Sequence, residues 1–275
     1  MSVSRVLGYL KQADNDFNLI NDGDKIAVGI SGGKDSMILI YVLHLYKKFS
    51  KKDYTLIPIH VDEGFPDMDF NEIKAFLNSI GEDLYIEESN PNIYKVLKMH
   101  VKNDKLPCSI CSKMKKAAIN QAAIKYNCNK VAFAHHVDDA IETLFLNEIY
   151  GGRVATFTPS TYLSNTNLTL IRPLIYSKEK DIKKAMKEVN LPIVKSTCPN
   201  DKKTEREDIK NMLLDIYKKY PKAHDNFKLM LTNLDKLVLW DKSSRKWKFI
   251  NFPLPLTPPY VRSSVYGGLN KHPIE

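Results

Sequence analysis

Ser31-Gly32-Gly33-Lys34-Asp35-Ser36 stands between the apolar run Lys25-Ile26-Ala27-Val28-Gly29-Ile30 and a helical run over residues 37–46. Read as strand, turn and helix, this stretch makes a phosphate-binding loop. Its two glycines let the backbone turn sharply and bring N–H groups close to an anion, and the following helix points its positive end at the same spot. Ser31 and Ser36 add hydroxyl donors, Lys34 adds a charge, and Asp35 adds a carboxylate suited to Mg²⁺ or to helix capping. A Walker A loop is excluded, because that pattern needs two glycines five residues apart with lysine directly after the second.

The hexapeptide resembles the S-G-G-x-D-S signature of the PP-loop ATP pyrophosphatases. The resemblance implies cleavage of ATP between its α- and β-phosphates and activation of a carbonyl oxygen as its adenylate, with residues 31–36 binding the ATP. A plain glycine-rich turn is the alternative, and the complete hexapeptide with its strand and helix flanks speaks against it.

Outward from the loop, strands and helices alternate. Residues 56–61 and 84–86 read as strands, 69–80 and 112–126 as helices, 130–134 as a further strand, and a helix runs through residues 140–150. This pattern predicts an α/β, Rossmann-like parallel sheet with helices on both faces, whose strand carboxyl ends line one edge and gather ligands there. Two segments end at that edge. His60-Val61-Asp62-Glu63-Gly64-Phe65 offers His60 and Asp62 to the ribose or adenine of a nucleotide, or merely begins the next helix. Ala134-His135-His136-Val137-Asp138-Asp139 offers His135 to the nucleotide and two carboxylates to Mg²⁺ or a reacting group. The same aspartates also suit helix capping, with Asp138 as the cap and His136 buried and hydrogen-bonded.

The chain has 275 residues, 43% of them hydrophobic and 27% charged, which suits a soluble globular protein with a sizeable core. It contains no apolar run of membrane-spanning length, and the start Met-Ser-Val-Ser-Arg lacks a signal-peptide core, so a cytoplasmic location without membrane contact is expected. The formal charge of +9 suits a polyanionic partner or a solubilising surface. Lysines cluster at 113, 115 and 116, at 178, 180, 183 and 184, and at 202 and 203. Each cluster alone fits a solvated helix face; together they lean toward nucleic acid.

Four cysteines, Cys108, Cys111, Cys128 and Cys198, are too few for a disulfide framework. Pro107-Cys108-Ser109-Ile110-Cys111 places a C-x-x-C at a helix start, where the dipole and nearby lysines favour thiolates. No strand leads directly into the pair, as a thioredoxin motif requires. A zinc site with Cys128 or a histidine as a further ligand, and an iron–sulfur cluster on three cysteines with one iron left open, both fit the composition.

Further blocks carry a narrower resemblance. The hexapeptide, Pro-Cys-Ser-Ile-Cys-Ser, His135-His136-Val137-Asp138-Asp139 followed by Glu142-Thr143-Leu144-Phe145-Leu146-Asn147, then Ile171-Arg172-Pro173-Leu174, Cys198 and Arg206 come in one order. Over residues 20–235 the chain resembles the tRNA 2-thiocytidine synthase family of PP-loop enzymes. That resemblance implies a [4Fe–4S] cluster on Cys108, Cys111 and Cys198, leaving Cys128 as a small buried hydrophobe. It implies ATP and Mg²⁺ as cofactors, tRNA as substrate, and a cysteine desulfurase or sulfide as the sulfur source. It also implies Lys115 as a catalytic lysine, with one of Asp138 and Asp139 as a catalytic aspartate. The alternative for Lys115 is one more solvated helix lysine. Arg172 and Arg206 are candidates for phosphate or tRNA contact, or for structural ion pairs. Related thiolases act on uridines, so uridine, a small-molecule acceptor and a zinc-stabilised RNA-binding module stand as alternatives.

Past residue 200 the character changes to a lysine-rich helix over 203–219, a break at Tyr220-Pro221, a second helix from 224 to about 241, and a Pro-rich tail over 252–275. The expected organisation is a catalytic domain at 1–200 and a small helical extension with its tail at 201–275. The sequence leaves a homodimer open.

Overall fold

The computed structural model describes residues 2–101, 106–200, 204–236 and 238–239. In chain order the elements are α1 (Ser2–Phe17), β1 (Lys25–Gly29), α2 (Lys34–Ser50), β2 (Thr55–Asp62), α3 (Asn71–Ser79), β3 (Tyr85–Glu88), α4 (Ile93–Met99) and α5 (Cys108–Lys125). They continue with β4 (Lys130–Ala132), α6 (Val137–Gly151), β5 (Ser160–Leu163), β6 (Leu168–Ile171), α7 (Glu179–Val189), α8 (Glu205–Lys219) and α9 (Ala223–Met230). All of these fall in one compact unit, Met1–Asn233; a second unit, Leu234–Glu275, contributes a short 3-10 turn at Leu234–Lys236 among the described residues.

Alternation along β1 sets the layers. Ile26 and Val28 are buried on one face, in a core shared with Val6 and Leu10 of α1, Met37 to Ile40 of α2, and Ile182 and Ala185 of α7. Ala27 faces the other way, joining Ile57, Ile59 and Val131 beneath Ile119, Ala122 and Ala123 of α5. A period of two thus gives a sheet covered on both faces, as the sequence predicts.

The strand order is β3-β2-β1-β4-β6-β5. All neighbours are parallel except the β5–β6 hairpin at the edge. The chain moves outward from β1 to β2 and β3, then returns to place β4 on the opposite side of β1. That reversal opens a crevice at the carboxyl ends of β1 and β4, where the loop after β1 lies.

Several features depart from the pattern read in the sequence. α1, α4, α7 and the β5–β6 hairpin are additional elements. The second C-terminal helix stops at Met230, short of the expected 241: Thr232 and Asn233 donate backbone N–H bonds to Leu229 and Met230, three residues back, which tightens the chain out of the α-helix. The tail at 252–275, together with Lys202 and Lys203, lies outside the described residues. Among the described residues no helix is long and apolar enough to cross a membrane.

α8 and α9 pack on α6, with Ile209 and Leu213 against Val137 and Ile141. Glu179, the first residue of α7, knots the same region to the loop. Its carboxylate meets Lys34 at 3.2 Å, Lys183 at 3.1 Å and Lys210 of α8 at 3.1 Å. Burial alone would raise its pKa, but Lys34, Lys210 and Lys183 outweigh it and hold the carboxyl at about 2. A pKa depressed on folding contributes stability that is complete above the unfolded value and disappears as the pH falls through the folded one. Glu179→Gln therefore costs on the order of 3 kcal/mol at neutral pH. In urea melts the gap between wild type and variant holds constant above about pH 5 and closes toward pH 2; a gap that ignores pH across this window would contradict the knot.

Candidate active site

The loop after β1 is held open by its own backbone. Gly32 has a φ of +80°, and a Cβ there would lie 2.9 Å from Cβ of Val194 and 3.1 Å from the Phe70 ring. Only glycine fits both the left-handed conformation and the space. Ser36 Oγ donates to the Gly33 carbonyl at 2.9 Å and accepts from the Ser31 N–H at 3.2 Å, which folds the loop back on the first turn of α2. Gly33 caps that helix without any side-chain hydrogen bond, so the N-terminal N–H groups of α2 stay open to an anion.

Beside the loop is a pocket of about 360 Å³, whose walls include Ser31, Asp35, Ser36, His60, Glu63, Lys115, Lys116, His135 and Asp139. Asp35 Oδ1 is buried there without a hydrogen-bond partner, 3.7 Å from Nε2 of His136. His60 is buried, stacks on Phe70 with ring centroids 3.7 Å apart, and bonds the Ile30 carbonyl through Nδ1 at 2.9 Å. Burial keeps its pKa below the usual histidine value. His135 is neutral for the same reason: burial outweighs the attraction of Asp139 and brings its pKa to about 4.

Several candidate residues take other positions. Lys34 turns to Asp35 at 2.9 Å and to Glu179, outside the pocket wall, and these carboxylates outweigh burial to raise its pKa. Asp62 is exposed and accepts from the Gly64 N–H at 2.8 Å; Glu63, one residue on, reaches the wall. The cap of α6 is His136, not Asp138. The His136 ring accepts from the Asp139 N–H, and Asp139 Oδ2 accepts from the His136 N–H at 2.9 Å. Asp138 faces away from the pocket, accepting from the Glu179 N–H at 2.7 Å and meeting His224 Nε2 at 3.0 Å. Of the aspartate pair, Asp139 is the one at the pocket.

Cys108, Cys111 and Cys198 line a second cavity of about 390 Å³, with Lys115, Asn200 and Arg206 also in its wall. Ser112 and Lys115 belong to both cavities. Asn200 Nδ2 lies 3.4 Å from Cys108 Sγ and donates to the Leu106 carbonyl at 2.6 Å. Cys128 is buried under α5 with Ala123 and Val131, ahead of β4 and so at the opposite edge of the sheet. It is no candidate for a fourth ligand beside the other three. Among the described residues no three His, Cys, Asp or Glu side chains converge tightly enough for a single metal ion. Three thiols around one cavity fit a larger, polynuclear group, and soft thiolate donors suit iron and sulfide. Burial pushes the Cys111 thiol up to about 11 despite the opposing pull of Lys115, so metal binding there must displace a proton.

Glu63 and Lys116 stand in the wall of the first cavity, although the motif reading gives neither a site role. Glu63 pairs with Lys115 at 2.7 Å, and Glu142 pairs with Arg206 at 3.1 Å while Thr143 accepts a second bond from that guanidinium. Arg172 is buried, donates to the Thr158 carbonyl and leaves Nε without a partner. The signals for these residues are faint: Glu63 and Lys116 each sit next to a residue that the motifs do single out.

Residues 6–216 match the family described as the PP-loop domain. The tRNA-cytidine(32) 2-sulfurtransferase of Geotalea uraniireducens is 33% identical over 241 residues, covering 87% of this chain and 95% of the relative. Its namesake in Geobacter sulfurreducens is 32% identical, covering 86% and 92%. Among solved structures, the U34-tRNA thiolase NcsA from Methanococcus maripaludis with its [4Fe-4S] cluster superposes with a TM-score of 0.67 at 21% identity, covering 88% of this chain and 81% of that one. That likeness is one of fold. The length and identity of the sequence matches make the chain a member of the PP-loop family and, within it, of the tRNA-cytidine(32) 2-sulfurtransferase family.

Proposed function

We propose that this chain catalyses ATP-dependent thiolation of tRNA, taking an anticodon-loop cytidine to 2-thiocytidine. One observation carries the reading: the phosphate-loop pocket and the three-cysteine cavity share Ser112 and Lys115 as a wall. An oxygen activated on one side of that wall lies beside sulfur supplied on the other. The names of the relatives support cytidine over uridine.

In this reading residues 1–200 carry the chemistry and 201–275 form the extension. The Gly32 N–H and the open end of α2 hold the ATP phosphates, Ser31, Gly33 and Ser36 brace the loop by bonding one another, and Lys34 on the first turn of α2 adds positive charge. Asp35, with its unpartnered Oδ1, and Asp139 suit Mg²⁺ on the pyrophosphate. His60 flanks the nucleoside end. The C2 carbonyl oxygen of cytosine attacks the α-phosphorus, pyrophosphate departs, and that oxygen now belongs to a good leaving group. Lys115 offsets the charge that develops between the two cavities, and Glu63 fixes its position. A [4Fe–4S] cluster on Cys108, Cys111 and Cys198, when bound, supplies an iron without a protein ligand at which sulfur from a desulfurase or from sulfide is available. Hydrosulfide adds at C2, the C2–O bond breaks so that AMP leaves with that oxygen, and the sulfur gives up its proton; sulfur that arrives as a desulfurase persulfide first takes two electrons from a thiol reductant.

Protein prepared without oxygen and given ATP, Mg²⁺, sulfide and tRNA is expected to yield 2-thiocytidine in nuclease digests analysed by mass spectrometry. Thiouridine in its place would move the substrate to uridine, and a tRNA left unthiolated would sink the reading. Lys115→Ala should lower the turnover number by roughly 100-fold while ATP affinity stays within about twofold, since the residue acts on developing charge rather than on ground-state binding. Gly32→Ala strains the loop and crowds Val194, so titration with ATP should show affinity reduced by about tenfold or more; wild-type affinity would mean that the loop is not the phosphate site.

A further inference from the structure

With the phosphate loop and the cysteine cavity accounted for, a cationic corner at the ends of β4 and β6 has no role. Lys116 and His135 stand in the pocket wall there, and Arg172 follows β6 directly. Arg172 is 7% exposed, its Nε is buried with no hydrogen-bond partner, and Nδ1 of His135 is buried and unpartnered as well. The Phe157 ring joins the two, 5.0 Å from the Arg172 guanidinium carbon and 5.0 Å from the His135 ring centre. Neither Lys116 nor Arg172 forms an ion pair among the described residues, whereas Arg206 nearby is matched by Glu142. Burial, together with Arg172 and Arg206, lowers the pKa of Lys116, which shows that the three cations repel one another.

A buried guanidinium without a carboxylate is costly, and unpartnered buried polar atoms are rare in folded proteins. Two in one corner, beside the cations Lys116 and Arg172 that lack an ion-pair partner among the described residues, mark the seat of an anion. The planar donor fork of arginine suits phosphate. The phosphates of ATP have their own donors at the end of β1, in the loop and the first turn of α2. The corner closes the same pocket at the ends of β4 and β6, toward Arg206, which borders the cysteine cavity.

We propose that Lys116, His135 and Arg172 seat a backbone phosphodiester of the tRNA next to the nucleoside under modification, holding its base between the two cavities. The proposal rests on the tRNA-thiolation reading. The test uses the complete, anaerobically reconstituted protein, labelled tRNA whose anisotropy is followed from 50 to 300 mM NaCl, and a separate titration with ATP. Lys116→Met, a change at the exposed end of a helix turn, should weaken tRNA binding about tenfold at a mid-range salt concentration and flatten the log–log salt dependence by roughly one. ATP affinity should fall by clearly less than tRNA affinity does. Arg172→Met should act in the same direction, with its thermal melt as the check on folding. Unchanged tRNA affinity and slope in Lys116→Met would overturn the seat, and a loss confined to ATP would assign the corner to the nucleotide's own phosphates. Failure of the wild type to bind tRNA at any of these salt concentrations would instead overturn the thiolation reading itself.

Discussion

Both cavities depend on one close approach. The Val194 N–H donates to the Gly32 carbonyl at 2.9 Å, at a point where any side chain on residue 32 would strike Val194. The extended segment following α7 thereby braces the phosphate loop. A few residues later the same segment delivers Cys198, steadied by the Thr197 hydroxyl on the Pro66 carbonyl at 2.9 Å and by the Asn200 amide on the Leu106 carbonyl just ahead of α5. One short segment is stitched to the nucleotide loop at one end and to the C-x-x-C helix at the other. The geometry that opens the anion site therefore also sets the place of the third thiol.

Charge is sorted across the crevice. Asp35, Glu63 and Asp139 gather toward the nucleotide side, where His136 bridges the aspartates and Lys115 answers the glutamate. Lys116 and Arg172 lack that compensation among the described residues, whereas Arg206 is matched by Glu142 and Lys210 by Glu179. Behind the loop, Lys34, Glu179 and Lys210 connect the nucleotide site to α8, and Asp138 connects α6 to α7 and α9. Asp138 is thus a structural tie between layers, and Asp139, beside it in sequence, is free to face the pocket. Adjacent residues on a helix point about a quarter turn apart, which is enough to give two carboxylates different work.

Much of this was legible in the residues. The hexapeptide fixed the β1-loop-α2 unit, and the alternation of apolar runs gave the parallel sheet and the edge where the cysteines and the loop meet. The same pattern was blind to α1, although Val6, Leu10 and Ala13 keep a helical spacing, because polar residues dilute it. It was blind to the β5–β6 hairpin, whose strands are only four residues each. Pairings between distant residues, such as Lys115 with Glu63 and Arg206 with Glu142, were beyond any local signal, since they exist only after β2, α5, α6 and α8 have packed. The choice between Asp62 and Glu63 needed the exact end of β2, where one residue of register moves a side chain from solvent to pocket.

In the proposed mechanism everything turns on three thiolates at the nucleotide crevice that hold an iron–sulfur group. Iron and acid-labile sulfide content, with visible absorption, measured on protein reconstituted without oxygen, tests it most directly. About four irons per chain and a broad brown absorption are expected in the wild type and in Cys128→Ala, with loss of both in Cys108→Ala, Cys111→Ala and Cys198→Ala. A colourless wild-type protein after reconstitution, or a cluster that survives loss of Cys198 but not of Cys128, would contradict it.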